Sequence, residues 1–309
     1  MVQYILLRLI KMILTLFAIV TFVFFLSRIT GNPFEREFQS TGITEEQKKE
    51  LMEYYGLDKP VVQQYGIYLR ELVLHGNAGR SLSRGGVSVV ALYKDAFKMT
   101  LKLIIWPFLL APIIGIPLGI IGALKRNTIV GEAAMGVAFV GYAFPAFVIA
   151  IGLILIFSYW LGWLPTMGDA TLAHYILPIV SLLVRRLATV ARFTRSSMLD
   201  AMTQDYIRTA RGKGLSERVV AYKHALRNSL IPVVTKLGTA FIGLLTGSLV
   251  IETIFAWPGF GFTIVSAVQA RDFPVIQFGV IITATIVITV NLIVDILYGV
   301  IDPRIRTEA

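Results

Sequence analysis

Residues 205–232 read DYIRTARGKGLSERVVAYKHALRNSLIP and place Arg208, Arg211, Lys213, Arg218, Lys223 and Arg227 in a short polar stretch between two apolar runs. Guanidinium and ammonium groups in this density hold anionic or polar surfaces and break no bonds by themselves, so the chemistry they offer is binding. The stretch reads as two short helices separated at Gly214. Ser216 suits the start of the second, where a hydroxyl can accept from an otherwise orphaned backbone N–H. A basic helix–glycine–helix hairpin between two apolar runs implies a partner that grips it on the cytoplasmic side; the alternative is a solvated loop on anionic lipid headgroups.

A second set of charges lies inside apolar runs: Arg185, Arg186 and Arg192 in one, Lys236 in the next, and Asp295 near the chain end. Charges in such runs face protein or a water-filled path, because lipid solvates them poorly. Arg185 and Arg186 could line a route for carboxylate-bearing solutes. The structural alternative is pairing with an acid or snorkelling along a tilted helix. Asp295 stands four residues after Asn291, so both share a helix face. A pair between Asp295 and Lys236, Arg192 or Arg186 would form an inner tie. Glu252, near the outer end of its run, reads as interfacial and suited to docking an external protein.

Other chemistries lack their residues. The chain has no cysteine, and its three histidines, His75, His174 and His224, have no ligand spacing, so no metal site and no disulfide is expected. There is no Gly-x4-Gly-Lys-Ser/Thr loop to hold nucleotide phosphates, so no bound cofactor and no catalytic residue is expected.

The elements that position these charges follow from composition. Of 309 residues, 56% are hydrophobic and 16% charged, and mean hydropathy is +0.72, which is more apolar surface than a soluble fold of this size conceals. The net charge of +10 is interleaved with apolar runs, which favours positive-inside topology over a nucleic-acid face. A bilayer core needs about 20 apolar residues per helix, and runs near 6–29, 101–124, 133–158, 175–196, 230–252 and 275–300 meet that length. The fold class is therefore all-α, a polytopic integral membrane protein with six transmembrane helices. The first run exceeds a signal-peptide core and reads as a retained span. The second contains Pro107, Pro112 and Pro117, tolerable where neighbours satisfy the freed carbonyls.

Arg8, Lys11, Lys125, Arg126, the hairpin, Arg304 and Arg306 fall on one side, which places both termini in the cytoplasm. Tyr159, Trp160 and Trp163 suit the opposite headgroup region. The segment 30–98 is external. In it Thr44 with Gln47 forms a capping-box pattern, the following helix ends at Gly56, and an amphipathic helix over 61–74 puts Val62, Tyr65, Leu69, Leu72 and Val73 on one face.

The hairpin strongly resembles the cytoplasmic loop of permease subunits in binding-protein-dependent ABC importers. Arg208-Thr209-Ala210 stands where many such permeases carry Glu-Ala-Ala, and Gly214 matches the loop glycine. His224-Ala225-Leu226-Arg227-Asn228 replaces the Ile-x-Leu-Pro ending of other branches, a departure typical of the dipeptide, oligopeptide and nickel branch. Further stretches agree with its first-permease subunits along nearly the whole chain: Gly31-Asn32-Pro33, YGLDKPVVQQYGIYL at 55–69, ARFTRSSML at 191–199, WPGFG at 257–261, RDFPVIQ at 271–277 and NLIVDILYGVIDPRIR at 291–306. Asn32 stands where Asp is usual, and no proline precedes Val87.

The resemblance implies a type I ABC importer fold: a first helix over 1–29, an external cap over 30–98, a permease domain over 99–303 with a coupling loop at 203–228, and a cytoplasmic tail at 304–309. It implies a second homologous permease, two cytoplasmic ATPase subunits that bind ATP and magnesium, and an external solute-binding protein, in the cytoplasmic (inner) membrane of a bacterium or archaeon. Coupling would fall on Arg208, Ala210, Arg211, Lys213, Gly214, Leu215, Arg218, Val219 and Tyr222. The cargo would be di- or oligopeptides or a related solute such as a nickel chelate. An ion-gradient-driven secondary transporter is the alternative, favoured by inverted repeats and midplane ion ligands that the sequence does not display. A membrane scaffold with no transport role would not need the hairpin.

Overall fold

The computed structural model describes residues 2–29 and 44–301. Among them the regular structure is helical. The chain divides into two compact units, Met1–Lys98 with Phe262–Ala309, and Met99–Gly261.

In the first unit, α1 (Val2–Ile29) leaves Leu6, Ile13, Leu14, Phe17 and Phe22 exposed while burying Val20, Phe24 and Ser27. A helix apolar around most of its girth needs a nonaqueous surround. The short α2 (Glu45–Tyr55) starts directly after Thr44; the side chain of Gln47, the other half of the expected capping box, lies outside those described. It ends where expected. Gly56 adopts φ +60°, its N–H bonds Glu53 O, and the next N–H, of Leu57, bonds Met52 O at 2.8 Å, the paired closure of a left-handed cap.

Helix α3 (Val61–Leu74) has the bounds its periodicity predicts but a rotated face. Val62 and Val73 stand 73% and 72% exposed, whereas Gln64 is buried. The reason lies on α1, which offers Thr21, Phe24 and Arg28 as a stripe. Tyr65 Oη meets Thr21 Oγ1 at 2.5 Å, Tyr65 and Tyr68 pack their rings on Phe24, and Arg28 Nε donates to Gln64 Oε1 at 3.0 Å. Polar and aromatic partners at helical spacing outweighed two valines.

The loop after α3 is tied at two points. Tyr55 Oη accepts from Arg80 N and donates to Arg80 O, and burial pushes this hydroxyl up to about 12, so it stays a neutral donor. Asp272, fully buried, accepts from Ser81 Oγ, Ser83 Oγ and Ser83 N, and so pins the loop to the start of α12 (Phe273–Ile301). Gln277 of α12 bonds Ser27 of α1.

The long α4 (Val89–Leu124) begins a dozen residues before the expected span and runs through Pro107, Pro112 and Pro117. In the second unit it is followed by α5 (Ile129–Ala143), α6 (Ala146–Leu153) with a π turn at Ile154–Trp160, and α7 (Ala173–Met202). Then come the short helix α8 (Asp205–Gly212), the single turn α9 (Glu217–Val219), a π turn at Val220–Ala225 and α10 (Leu226–Ile254). The expected third span is broken, with α5 and α6 bent by 101°. Phe144, extended at φ −104° and ψ 138°, precedes Pro145, and a residue before proline is driven out of the helical region.

The core of this unit gathers Leu103 and Ile104 of α4, Ala150 of α6, Leu177 and Leu182 of α7, and Leu244, Ile251, Phe255 and Trp257. Helices α4 and α7 approach closely enough that a Cβ on Gly119 would stand 2.6 Å from Ala191 O. Glycine there lets two backbones meet. Each expected span coincides with a helix or helix pair. By length and apolar composition, however, three described helices could cross a membrane, or four if the bent pair is one span. The count of six is not reached by that measure, and α7, which carries Arg185, Arg186, Arg192 and Arg195, is not among the helices that meet it.

Candidate coupling surface and charged helix

The basic stretch folds as α8, a glycine turn and α9, and then continues through the π turn directly into α10. It is therefore one short helix leaning against the start of a long one, in place of two short helices. Ile207 and Ala210 of α8, with Val220 and Ala225 of the π turn, close a small core against Ala123, Met198 and Ala201. That apolar anchoring explains the helix, which is too short to persist alone. Ala210, expected among the coupling residues, faces inward and holds α8 in place.

The turn is set by Gly214 at φ +75°. Gly214 N bonds Arg211 O at 2.9 Å and Leu215 N bonds Ala210 O at 3.4 Å, the same paired closure seen at Gly56. A Cβ at Gly214 would meet nothing within 4 Å, so the need for glycine is purely conformational. Ser216 has the extended backbone of a cap residue, but its hydroxyl makes no capping bond. On this exposed turn, water can serve the orphaned amides instead.

Arg208, Arg211, Lys213, Leu215, Arg218, Val219 and Tyr222 all face outward. Leu215 and Val219 are each 37% exposed and Tyr222 51%, an apolar centre within a basic rim. Arg211 clamps across the turn: Nε and Nη2 donate to the two Glu217 carboxylate oxygens at 2.7 and 3.1 Å. Those bonds hold the Glu217 carboxyl below the usual carboxylate range and raise Arg211. Arg208 lies 3.8 Å from Asp205. The arrangement can dock a protein surface and, being anchored through Ile207 and Val220, pass a push to α7 and α10.

On α7, Arg185 is exposed and Arg186 half-buried, its guanidinium so near Gly243 of α10 that a Cβ there would stand 2.6 Å from Nη2. Among the described residues neither has a carboxylate within 4.0 Å. Arg192 lies over the Tyr142 ring at 3.9 Å, a contact that spacing gives no means to find. Asn291 is exposed on α12, while the side chains of Lys236 and Asp295 lie outside those described.

Glu252 corrects the sequence reading. It is fully buried and holds the WPGFG turn together, accepting from Thr100 Oγ1 and Gly261 N at 2.7 Å each, while Thr100 Oγ1 accepts from Phe260 N at 2.7 Å. Trp257, also fully buried, donates Nε1–H to Met99 O and packs edge-on against Tyr175. These aromatics pack inside the unit.

Residues 115–307 match the model of the family described as binding-protein-dependent transport system inner membrane component. The chain belongs to that family. It is 38% identical over 338 residues to the dipeptide transport system permease protein DppB of Escherichia coli, covering 99% of both chains. It is 39% identical over 309 residues to the oligopeptide transport system permease protein OppB of Haemophilus influenzae, covering 99% of this chain and 100% of that one. The glutathione transport system permease protein GsiC of Shigella flexneri is 40% identical over 310 residues, with 99% of each chain covered. A crystal structure of an amino acid ABC transporter superposes with a TM-score of 0.53 over 67% of this chain and 93% of that one, at 20% identity. The helical permease fold of the family is thus present, and hydrolysis is not the task of a permease subunit.

Proposed function

We propose that this chain is a peptide-import permease subunit: it forms half of an alternating-access path, beside a second homologous permease, for peptides delivered by an external binding protein. The observation that carries this reading is similarity along the full length to permeases named for dipeptides, oligopeptides and glutathione. Of two ATPase subunits, which bind ATP and magnesium, one docks on the outward patch of Leu215, Val219 and Tyr222 and its basic rim. Closure of the ATPases moves α8 and the π turn as one body, because their inner faces share a core. Both termini and the hairpin face the cytoplasm, as the placement of Lys and Arg requires.

Arg185 and Arg186, without a described acid partner, are suited to guide a peptide carboxylate weakly along the path. The test is uptake of labelled di- and tripeptides into proteoliposomes holding both permeases and the ATPases, with the binding protein supplied. ATP-dependent accumulation competed by unlabelled peptide supports the reading. Uptake driven by a proton or sodium gradient without ATP, or ATP-driven uptake of other solutes with none of peptide, would overturn it.

A further inference from the structure

Three arginines that the transport reading does not use together converge on one cleft. Arg126 follows the end of α4, and Arg192 and Arg195 stand one turn apart on α7; all three line one open cleft. Its other wall is a stripe of α5 in which Glu132, Met135 and Phe139 follow one another at helical spacing. The two ends differ in chemistry. At the loop end Arg126 and Arg195 outnumber the single carboxylate of Glu132, and the Arg192 guanidinium lies farther along, against the Tyr142 ring. Farther along α5, Phe139 is 70% exposed and Met135 lies beside it.

The cationic end is fixed in depth and geometry. Arg195 Nε donates to Gly122 O, in the last turn of α4, at 3.1 Å. Helix α4 is long and apolar enough to cross a membrane, so its last turn and Arg126 fall at headgroup level. The same end carries the small core under the basic hairpin, through Ala123 and Met198.

We propose that this cleft binds the phosphate of an anionic phospholipid, with its acyl chain laid along Met135 and Phe139. A free phosphate would use the arginines but gain nothing from the apolar stripe. A lipid uses both, and basic pockets between transmembrane helices at this level suit anionic headgroups.

The experiment uses the complete transport complex in nanodiscs of phosphatidylcholine doped with phosphatidylglycerol, and native mass spectrometry to count retained lipid. Retention of phosphatidylglycerol over phosphatidylcholine is expected, with R126Q and R195Q each lowering occupancy about fivefold, the attraction of one basic residue for an anionic surface. A phosphatidylglycerol with a photoreactive acyl chain should label the unsubstituted chain between Arg126 and Phe139, a readout independent of any variant's folding. Labelling elsewhere, equal retention of both lipids, or unchanged occupancy in folded R126Q and R195Q would overturn the proposal. So would displacement of the label by inorganic phosphate alone, which would mark a free-anion site, or by transported peptide, which would mark part of the path.

Discussion

Replacing Glu252 by Gln tests whether a buried carboxylate holds the α10–α11 turn as one unit, where α11 is Phe260–Ala270. The carboxylate accepts two hydrogen bonds at 2.7 Å, from Thr100 Oγ1 and Gly261 N, in a site with no solvent exposure. Hydrogen bonds to a charged group contribute about 1.5–3 kcal/mol each, and an amide keeps one acceptor oxygen while setting an NH2 against a donor. The loss is then about one such bond. For a unit of this size 1 kcal/mol moves a thermal midpoint by about 2–4 °C, so E252Q should melt about 3–12 °C lower. T100V removes the same contact from the other side and also takes away the Oγ1 that accepts from Phe260 N. The assay is thermal unfolding of the purified complex for both single variants and the double. Because both break one shared bond, the double variant should lose less than the sum, with a coupling of about 1 kcal/mol or more. Additivity within about 0.5 kcal/mol, or a wild-type midpoint for E252Q, would refute the reasoning.

G214V should insert and fold yet lose stimulation of ATPase activity by loaded binding protein, because a left-handed backbone costs a non-glycine residue about 1–2 kcal/mol, and more when β-branched, although no neighbour obstructs the side chain. The hydrogen-exchange protection of α8 and its turn, taken relative to the intrinsic exchange rate at each pH, should fall in acid. The folded Glu217 carboxyl titrates below its unfolded value of about 4.3, so its stabilisation is complete above that value and is lost as pH falls through the folded one. E217Q should show no such acid limb. R186Q should leave the thermal midpoint within a few degrees of wild type while slowing uptake of anionic peptides more than neutral ones. A buried ion-pair partner would instead cost about 3–5 kcal/mol on removal.

Much of the architecture is legible because it depends on local chemistry. Gly56 and Gly214 each close a helix in the left-handed region, and the bounds of α3 follow from Pro60 and its apolar period. The misreadings involve choices made by distant residues. Val62 and Val73 lie outside the buried face of α3, which turns toward Gln64 because α1 supplies Arg28 as its partner. Glu252 was assigned to an interface because a lone acid at the end of an apolar run reads so; its acceptor role needs Thr100, far away in sequence. The pairing of Arg192 with Tyr142 is invisible for the same reason. The break before Pro145 carried a local signal, the residue preceding a proline, that the continuity of the apolar run obscured.

If ATP hydrolysis enters this subunit at the outward face of the turn after α8, that face must touch an ATPase. A photoreactive amino acid at Val219 or Tyr222, both exposed, in a complex shown to transport, should crosslink to an ATPase subunit, while the same group at Val73 on α3, proposed to face outside, should not. Crosslinking from Val73, or none from Val219 and Tyr222 in a complex that still couples hydrolysis to uptake, would contradict the account.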